Sequence, residues 1–221
     1  TKSSDSSPYT GTIFSGNPLF IDLKQLTEKK WDNILSQETF EKVVAGNPNQ
    51  NQGKTAYSYI MKAQNDALKE AWNNFKQIHG GLFGSPLKKD FEKFKKENAF
   101  WLDNDSLYEA LSLENDNDFW YTWKNESDKN LMNPKSEEEK KAAEARIADI
   151  RKKYEDEIEF YKFCQFVLEI QNEETKKFAL SKGIKMIADR QVAFSDRDAW
   201  AYQSLFLDGW YLGCPPDYFS K

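Results

Sequence analysis

From Lys24 to Lys182 the reading is mainly helical, with apolar residues at three- and four-residue steps interrupted by an amide- and glycine-rich exposed loop at Gly46 to Gly53 and a polar stretch at 112–135. After Gly183 the pattern changes into Ile184-Lys185-Met186-Ile187-Ala188-Asp189. That run reads as a buried strand ending in a carboxylate. Helix, glycine cap, strand and Asp make half of a β/α unit. A closed β/α barrel takes eight such strands, so the chain does not hold a complete one. In sheets of this kind the C-terminal ends of the strands face the site, which makes Asp189 the first candidate functional residue. On spacing alone, an Asp that caps a neighbouring loop fits equally well.

Within the helical stretch the boundaries are marked by local chemistry. Tyr57, Ile60, Met61, Gln64, Leu68, Ala71, Trp72 and Phe75 form one apolar face, ended by His79-Gly80-Gly81. A short amphipathic helix over Pro86 to Lys96 carries Leu87, Phe91 and Phe94. Phe100, Trp101, Leu102, Leu107, Tyr108 and Leu111 are dense enough to be core. The Asn/Asp-rich stretch 112–135 reads as a loop pinned by Phe119, Trp120, Tyr121 and Trp123. Ser136-Glu137-Glu138-Glu139 fits a capping box, and the spacing Ala143, Ile147, Ile150, Tyr154, Ile158, Tyr161, Cys164, Leu168 continues to a Gly183 cap, as one long helix or two. Before Lys24, Ser6-Ser7-Pro8-Tyr9 and Gly16-Asn17-Pro18 mark turns, and Leu19 to Leu23 reads as a short extended run.

Composition removes several function classes. The net charge is −5 with both signs interspersed, so no basic stripe exists to displace counterions from a nucleic acid. No apolar run approaches the roughly 18 residues of a membrane span, and Thr1 to Ser7 holds no signal-peptide core, so the expectation is a cytoplasmic chain with no membrane partner. Cys164 and Cys214 suggest free thiols. The one histidine, His79, reads as a helix terminus and leaves Ser-His, Cys-His and zinc chemistry without partners. No metal or cofactor is expected, and any chemistry should rest on carboxylates.

Three segments carry a resemblance: "SSPYTGTIFSGNPLFIDL" (6–23), "FKKENAFWLDNDSLYEAL" (94–111) and "GIKMIADRQVAFSDRDAWAYQSLFLDGWYLGCPPDYFS" (183–220). Together, and in this order, they resemble the 4-alpha-glucanotransferases (amylomaltases, disproportionating enzymes) of glycoside hydrolase family 77, in the alpha-amylase clan. The resemblance implies an α/β fold class: an incomplete piece of a (β/α)8 TIM barrel dominated by a helical insertion, and mostly helical by residue count. Residues 1–23 correspond to the loop after barrel strand two and a short extended segment. Residues 24–135 correspond to the helical insertion, 136–182 to a long helix or helix pair, and 183–221 to strand three and an active-site loop. In the family the nucleophilic Asp, the acid/base Glu and a stabilising Asp lie beyond the Pro-Pro-Asp-x-Phe-Ser loop, so no catalytic residue is expected in this chain, which reads as a middle fragment, inactive alone. Apolar faces destined for the rest of the barrel should be exposed around Leu19 to Leu23 and Ile184 to Ile187.

The implied activity is transfer of α-1,4-glucan segments between maltooligosaccharides or glucans by a retaining mechanism through a covalent glycosyl-enzyme. The implied substrate-binding residues are Ser7, Tyr9, Asp189, Asp217, Tyr218 and Phe219. Tyr9 would stack near the sugar to be transferred, with Ser7 beside it. Tyr218 and Phe219 would offer rings to glucose CH faces on a loop stiffened by Pro215 and Pro216, and Asp217 would anchor that loop. Asp189 would organise the surroundings of the nucleophile. This requires Tyr9 to lie on the same side of the molecule as Asp189 and Phe219. Asp198 and Trp200 are expected to pack and pin the following turn. Trp101 reads as core, while Trp120 and Trp123 fit either core or a distal glucan groove. Arg190 to Phe194 depart from the family's usual Pro and aliphatic-aromatic pair, and Gln171-Asn172 stands where Gln-Trp is usual. The competing readings are a non-catalytic α-glucan-binding module and a helical interaction protein.

Overall fold

The computed structural model of the chain describes residues 11–49, 53, 55–81, 84–187 and 194–207. Every regular element among them is helical: α1 (Leu23–Leu26), α2 (Gln37–Ala45), α3 (Tyr57–His79), α4 (Pro86–Glu97), α5 (Ala99–Glu114), α6 (Glu126–Asn130), α7 (Glu137–Lys153), α8 (Glu155–Ser181) and α9 (Asp196–Ala201), with short 3-10 turns between them. The mostly helical character expected from the sequence is therefore observed. No described helix is long and apolar enough to cross a membrane. The chain forms two units, one of Thr1–Phe14, Leu107–Glu155 and Asp189–Lys221, the other of Ser15–Ser106 and Asp156–Ala188.

The second of these units is built around rings. Trp72 and Phe75 of α3, Phe91 of α4 and Phe163 and Phe166 of α8 are all buried, with centroids 5.1 Å apart for Phe75 and Phe163 and 5.3 Å for Phe91 and Phe166. The α3 face begins about two turns later than its pattern suggests: Gln64, Ala67, Leu68, Ala71, Trp72, Phe75 and His79 are buried, whereas Tyr57 and Met61 are exposed. On α5, Trp101 and Leu102 join this core as expected, but Phe100 is exposed. A helix turns each successive residue by roughly 100°, so Phe100 and Trp101 point in different directions. Residues 163–167 of α8 are buried on every side, the mark of a central helix rather than an amphipathic one.

The caps act as the sequence suggests, with one shift. Ser136 Oγ accepts from the Glu139 amide at 3.1 Å, and Glu139 reaches back to the Lys135 amide at 2.6 Å, one residue upstream of a standard box. The helix after it breaks at Tyr154 into α7 and α8. Gly183 ends the pair with φ at 75° and hydrogen bonds from its own amide to Leu180 and from the Ile184 amide to Ala179, each 3.0 Å, a left-handed cap. Cys164 is buried and in no disulfide; Cys214 lies outside the described residues.

Two extended runs expected from the sequence take other forms. Leu19 to Leu23 is not extended. Asn17 Oδ1 caps a 3-10 turn over Pro18–Phe20, and Asp22 Oδ1 caps α1, two caps in six residues that favour turns over a strand. Ile184 to Ile187, the described part of the expected strand, has no regular structure. A parallel strand is held by ladders to neighbours, and the described residues offer none. The exposure expected of these runs is met in full by the second, where Ile187 is 95% exposed, and in part by the first, where Phe20 is 81% exposed while Ile21 and Leu23 are buried.

Candidate functional site

All six residues singled out for substrate contact, Ser7, Tyr9, Asp189, Asp217, Tyr218 and Phe219, lie outside the described residues. What the structure describes is the ground from which their segments depart, within the first unit. Ile13, four residues after Tyr9, donates its amide to Asp198 Oδ2 at 3.1 Å. Phe14 rests near the ring of Tyr202, with centroids 6.4 Å apart. The segment that leaves toward Tyr9 and the segment that follows Asp189 are thus joined through one carboxylate.

Local sequence makes Asp198 available for that task. Ser195 caps α9 by accepting from the Asp198 amide at 3.1 Å, and its hydroxyl donates back to Asp198 Oδ2 at 2.6 Å. Asp198 is almost fully buried, so its bonds to Ser195 and Ile13, both part-buried, are partly shielded from water, which strengthens them. The expectation that Asp198 and Trp200 pin this turn matches their placement. Trp200 is completely buried, packs near Tyr108 and Trp123 at 5.5 and 6.1 Å, and donates its indole N–H to the Asp128 carbonyl at 2.9 Å. Gln203 donates to the next carbonyl, Lys129, at 2.5 Å.

Those two carbonyls belong to α6, which is held in turn by a buried ion pair. Asp128, fully buried, takes Arg146 Nε and Nη2 at 2.8 and 3.0 Å and Asn115 Nδ2 at 3.2 Å. Its hydrogen bonds hold Arg146 more firmly protonated than usual. Arg197 of α9 pairs with Glu109 and sits over the Tyr108 ring at 5.7 Å. Burial pushes the Tyr108 hydroxyl well above its ordinary range, with Asp196 adding to the effect, and burial also raises Asp196 itself.

Of the undecided tryptophans, Trp123 is core and Trp120 is half-buried. The Asp128–Arg146 pair escaped the sequence reading, because an Asp in a polar stretch and an Arg on a charged helix give no periodic signal. No group of three or more His, Cys, Asp or Glu among the described residues is arranged to hold a metal ion.

Comparison with known proteins places this geometry in context. The family model described as 4-alpha-glucanotransferase matches residues 1–221. The chain is 30% identical over 225 residues to a 4-alpha-glucanotransferase of Thermus thermophilus, covering 97% of this chain and 39% of the relative. It is 29% identical over 225 residues to that of Clostridium butyricum, covering 97% and 41%. It is 26% identical over 224 residues to that of Aquifex aeolicus, covering 97% and 39%. Among solved structures, it resembles the fold of the amylomaltase from Streptococcus agalactiae in complex with acarbose, with a TM-score of 0.72 at 22% identity, covering 95% of this chain and 38% of that one. The chain thus spans about 40% of the length of the curated relatives it matches.

Proposed function

The chain belongs to the 4-alpha-glucanotransferase family, and from that premise we propose that it forms the substrate-gripping rim of an enzyme that moves α-1,4-glucan segments between maltooligosaccharides or glucans. Its length relative to the curated relatives supports a role as one part of a longer protein. Ile184, Met186 and Ile187, all exposed, are then the residues that the remainder of the barrel covers.

Retaining transfer uses two carboxyl groups about 5–5.5 Å apart, one attacking the anomeric carbon and one protonating the leaving oxygen. In this reading both come from outside these residues. A sugar hydroxyl, rather than water, then takes the glycosyl group from the enzyme. Transfer wins over hydrolysis when water is excluded and the acceptor is placed. Tyr218 and Phe219 do both by stacking on glucose CH faces, each contact contributing about 1 kcal/mol. Pro215 and Pro216 lower the ordering cost of their loop, and Asp217 anchors it. Tyr9 stacks on the sugar being transferred, with Ser7 beside it, and Asp189 orders the surroundings of the nucleophile.

The observation that supports this most directly is the bond from the Ile13 amide to Asp198, which ties together the two segments that carry Tyr9 and Asp189. Maltoheptaose titrated against the protein should quench tryptophan fluorescence, and Tyr9→Ala or Tyr218→Ala should each weaken the binding about fivefold. Quenching that neither substitution alters would overturn these assignments.

A further inference from the structure

Phe119 and Tyr121 are 38% and 54% exposed, two rings on a turn that is fastened from several directions. Asn117 Oδ1 accepts from the Phe119 amide at 2.9 Å, and Asn117 Nδ2 donates to Thr122 Oγ1 at 2.6 Å. The Thr122 hydroxyl and amide both donate to the Phe119 carbonyl, at 2.8 and 3.0 Å. From the buried side, Trp123 Nε1 donates to the Asn117 carbonyl at 2.7 Å, and the Tyr108 hydroxyl donates to that of Asp118. A turn so restrained has little freedom left to lose when something binds to it.

Holding two rings in water forgoes the stabilisation that burying them would bring, so the turn's own stability does not account for their display. Their arrangement says what they suit. The ring centroids of Phe119 and Tyr121 are 5.8 Å apart with planes inclined by 42°, and Trp120 backs Tyr121 at 6.2 Å. Two inclined faces do not make a flat platform. They match a chain that curves between neighbouring units, as α-1,4-linked glucose does and β-1,4-linked glucose does not. The exposed charges alongside, Asp116, Asp118, Lys124 and Glu126, are mostly acidic, so the surroundings disfavour an anionic ligand and leave a neutral one unopposed.

The geometry points to a second glucan contact on this turn, in which Phe119 and Tyr121 stack on neighbouring glucose units of an α-1,4-glucan. The substrate class rests on the reading given under Proposed function; the residues do not, since none of the six candidates takes part. Such a contact would hold a long glucan chain at a second point, favouring long substrates over short ones through effective concentration.

Calorimetric titration of the whole chain with maltoheptaose tests this, using the unaltered protein, Phe119→Ala/Tyr121→Ala and Tyr9→Ala/Tyr218→Ala. The turn variant should bind at least about fivefold more weakly with unchanged circular dichroism, Tyr121→Phe should bind as the unaltered chain does, and cellohexaose should not bind. Should the double variant fail to fold, Tyr121→Leu, which keeps bulk but not the ring face, must show the same weakening. Equal affinity in the turn variant, equal binding of cellohexaose, or no binding of maltoheptaose by the unaltered chain overturns the inference. Weakening confined to the Tyr9/Tyr218 variant overturns it too while leaving the proposed function standing; weakening confined to the turn variant supports it and removes Tyr9 and Tyr218 instead. Self-association that the turn variant abolishes, without glucan binding, marks a protein-docking face and also overturns it.

Discussion

Gln165 and Gln171, both buried on α8, each clamp one residue of the segment before α1 by its amide and its carbonyl together. Gln165 takes Gly16 at 2.8 and 3.0 Å, and Gln171 takes Asp22 at 2.8 and 3.1 Å. A Cβ at Gly16 would lie 3.1 Å from Leu168 Cδ1, which is why a glycine fits this close approach. Replacing either glutamine with Ala strands a backbone donor and acceptor, and urea unfolding should show a loss of about 1–3 kcal/mol. His79 is the second residue with a measurable signature. It is buried against Phe75, its ring nitrogens have no hydrogen-bond partner, and Asp32 Oδ2 lies 3.6 Å from Nε2. Burial lowers its pKa below the ordinary 6.5, Asp32 opposing and Lys88 adding. The folded chain keeps His79 neutral while the unfolded chain takes up a proton, so its contribution is intact above about pH 6.5 and is lost as pH falls from there toward the lowered folded value. Thermal midpoints should drop more steeply from about pH 7 to 5.5 in the unaltered chain than in His79→Leu. The sequence identifies His79 as a helix end, but glutamines on a helix carry no sign of what they will clamp.

At the scale of elements, caps are the most legible feature. Ser136→Ala removes the bond to the Glu139 amide and should cost about 1 kcal/mol. Gly183 is a cleaner test, since a Cβ there meets nothing within 4 Å and only its φ of 75° opposes a side chain. Gly183→Ala should cost about 1 kcal/mol and Gly183→Asn less, both read from denaturant midpoints. Helix α9 shows a cap serving the candidate site: Ser195 holds Asp198, and Asp198 holds Ile13. Asp198→Ala should lower the thermal midpoint and weaken maltoheptaose binding together, whereas Asp198→Asn, which keeps an acceptor, should lose less of both. Binding unchanged in a destabilised Asp198→Ala protein would separate this tie from the site. The elements misjudged from sequence are the extended ones and α6, which forms within the 112–135 stretch read as a loop, where Asn125 caps it by accepting from the Ser127 amide. Leu19 to Leu23 has an apolar composition, but two caps decide its shape. Ile184 to Ile187 has the residues of a strand without a ladder partner among the described residues.

At the scale of the molecule, each unit has its own buried centre, rings in one and the Asp128–Arg146 pair beneath Trp200 in the other. The apolar residues left outside, with Ile184 57% exposed, make a prediction that depends on context. Ile184→Lys/Ile187→Lys should change the stability of this chain by less than about 0.5 kcal/mol, yet should destabilise a longer protein whose remaining barrel covers them. No effect in the longer protein would argue against that cover. The sequence by itself determined the long helices, their caps, the helical majority and the family, because periodicity and capping act over a few neighbouring residues and motifs keep their order along the chain. Only the tertiary structure decided that Phe100 faces water while Trp101 is core, that Trp123 is buried and Tyr121 is not, and that Ile13 meets Asp198 across 185 positions. Those outcomes depend on which surfaces come together once distant segments close on each other, and no local pattern carries that.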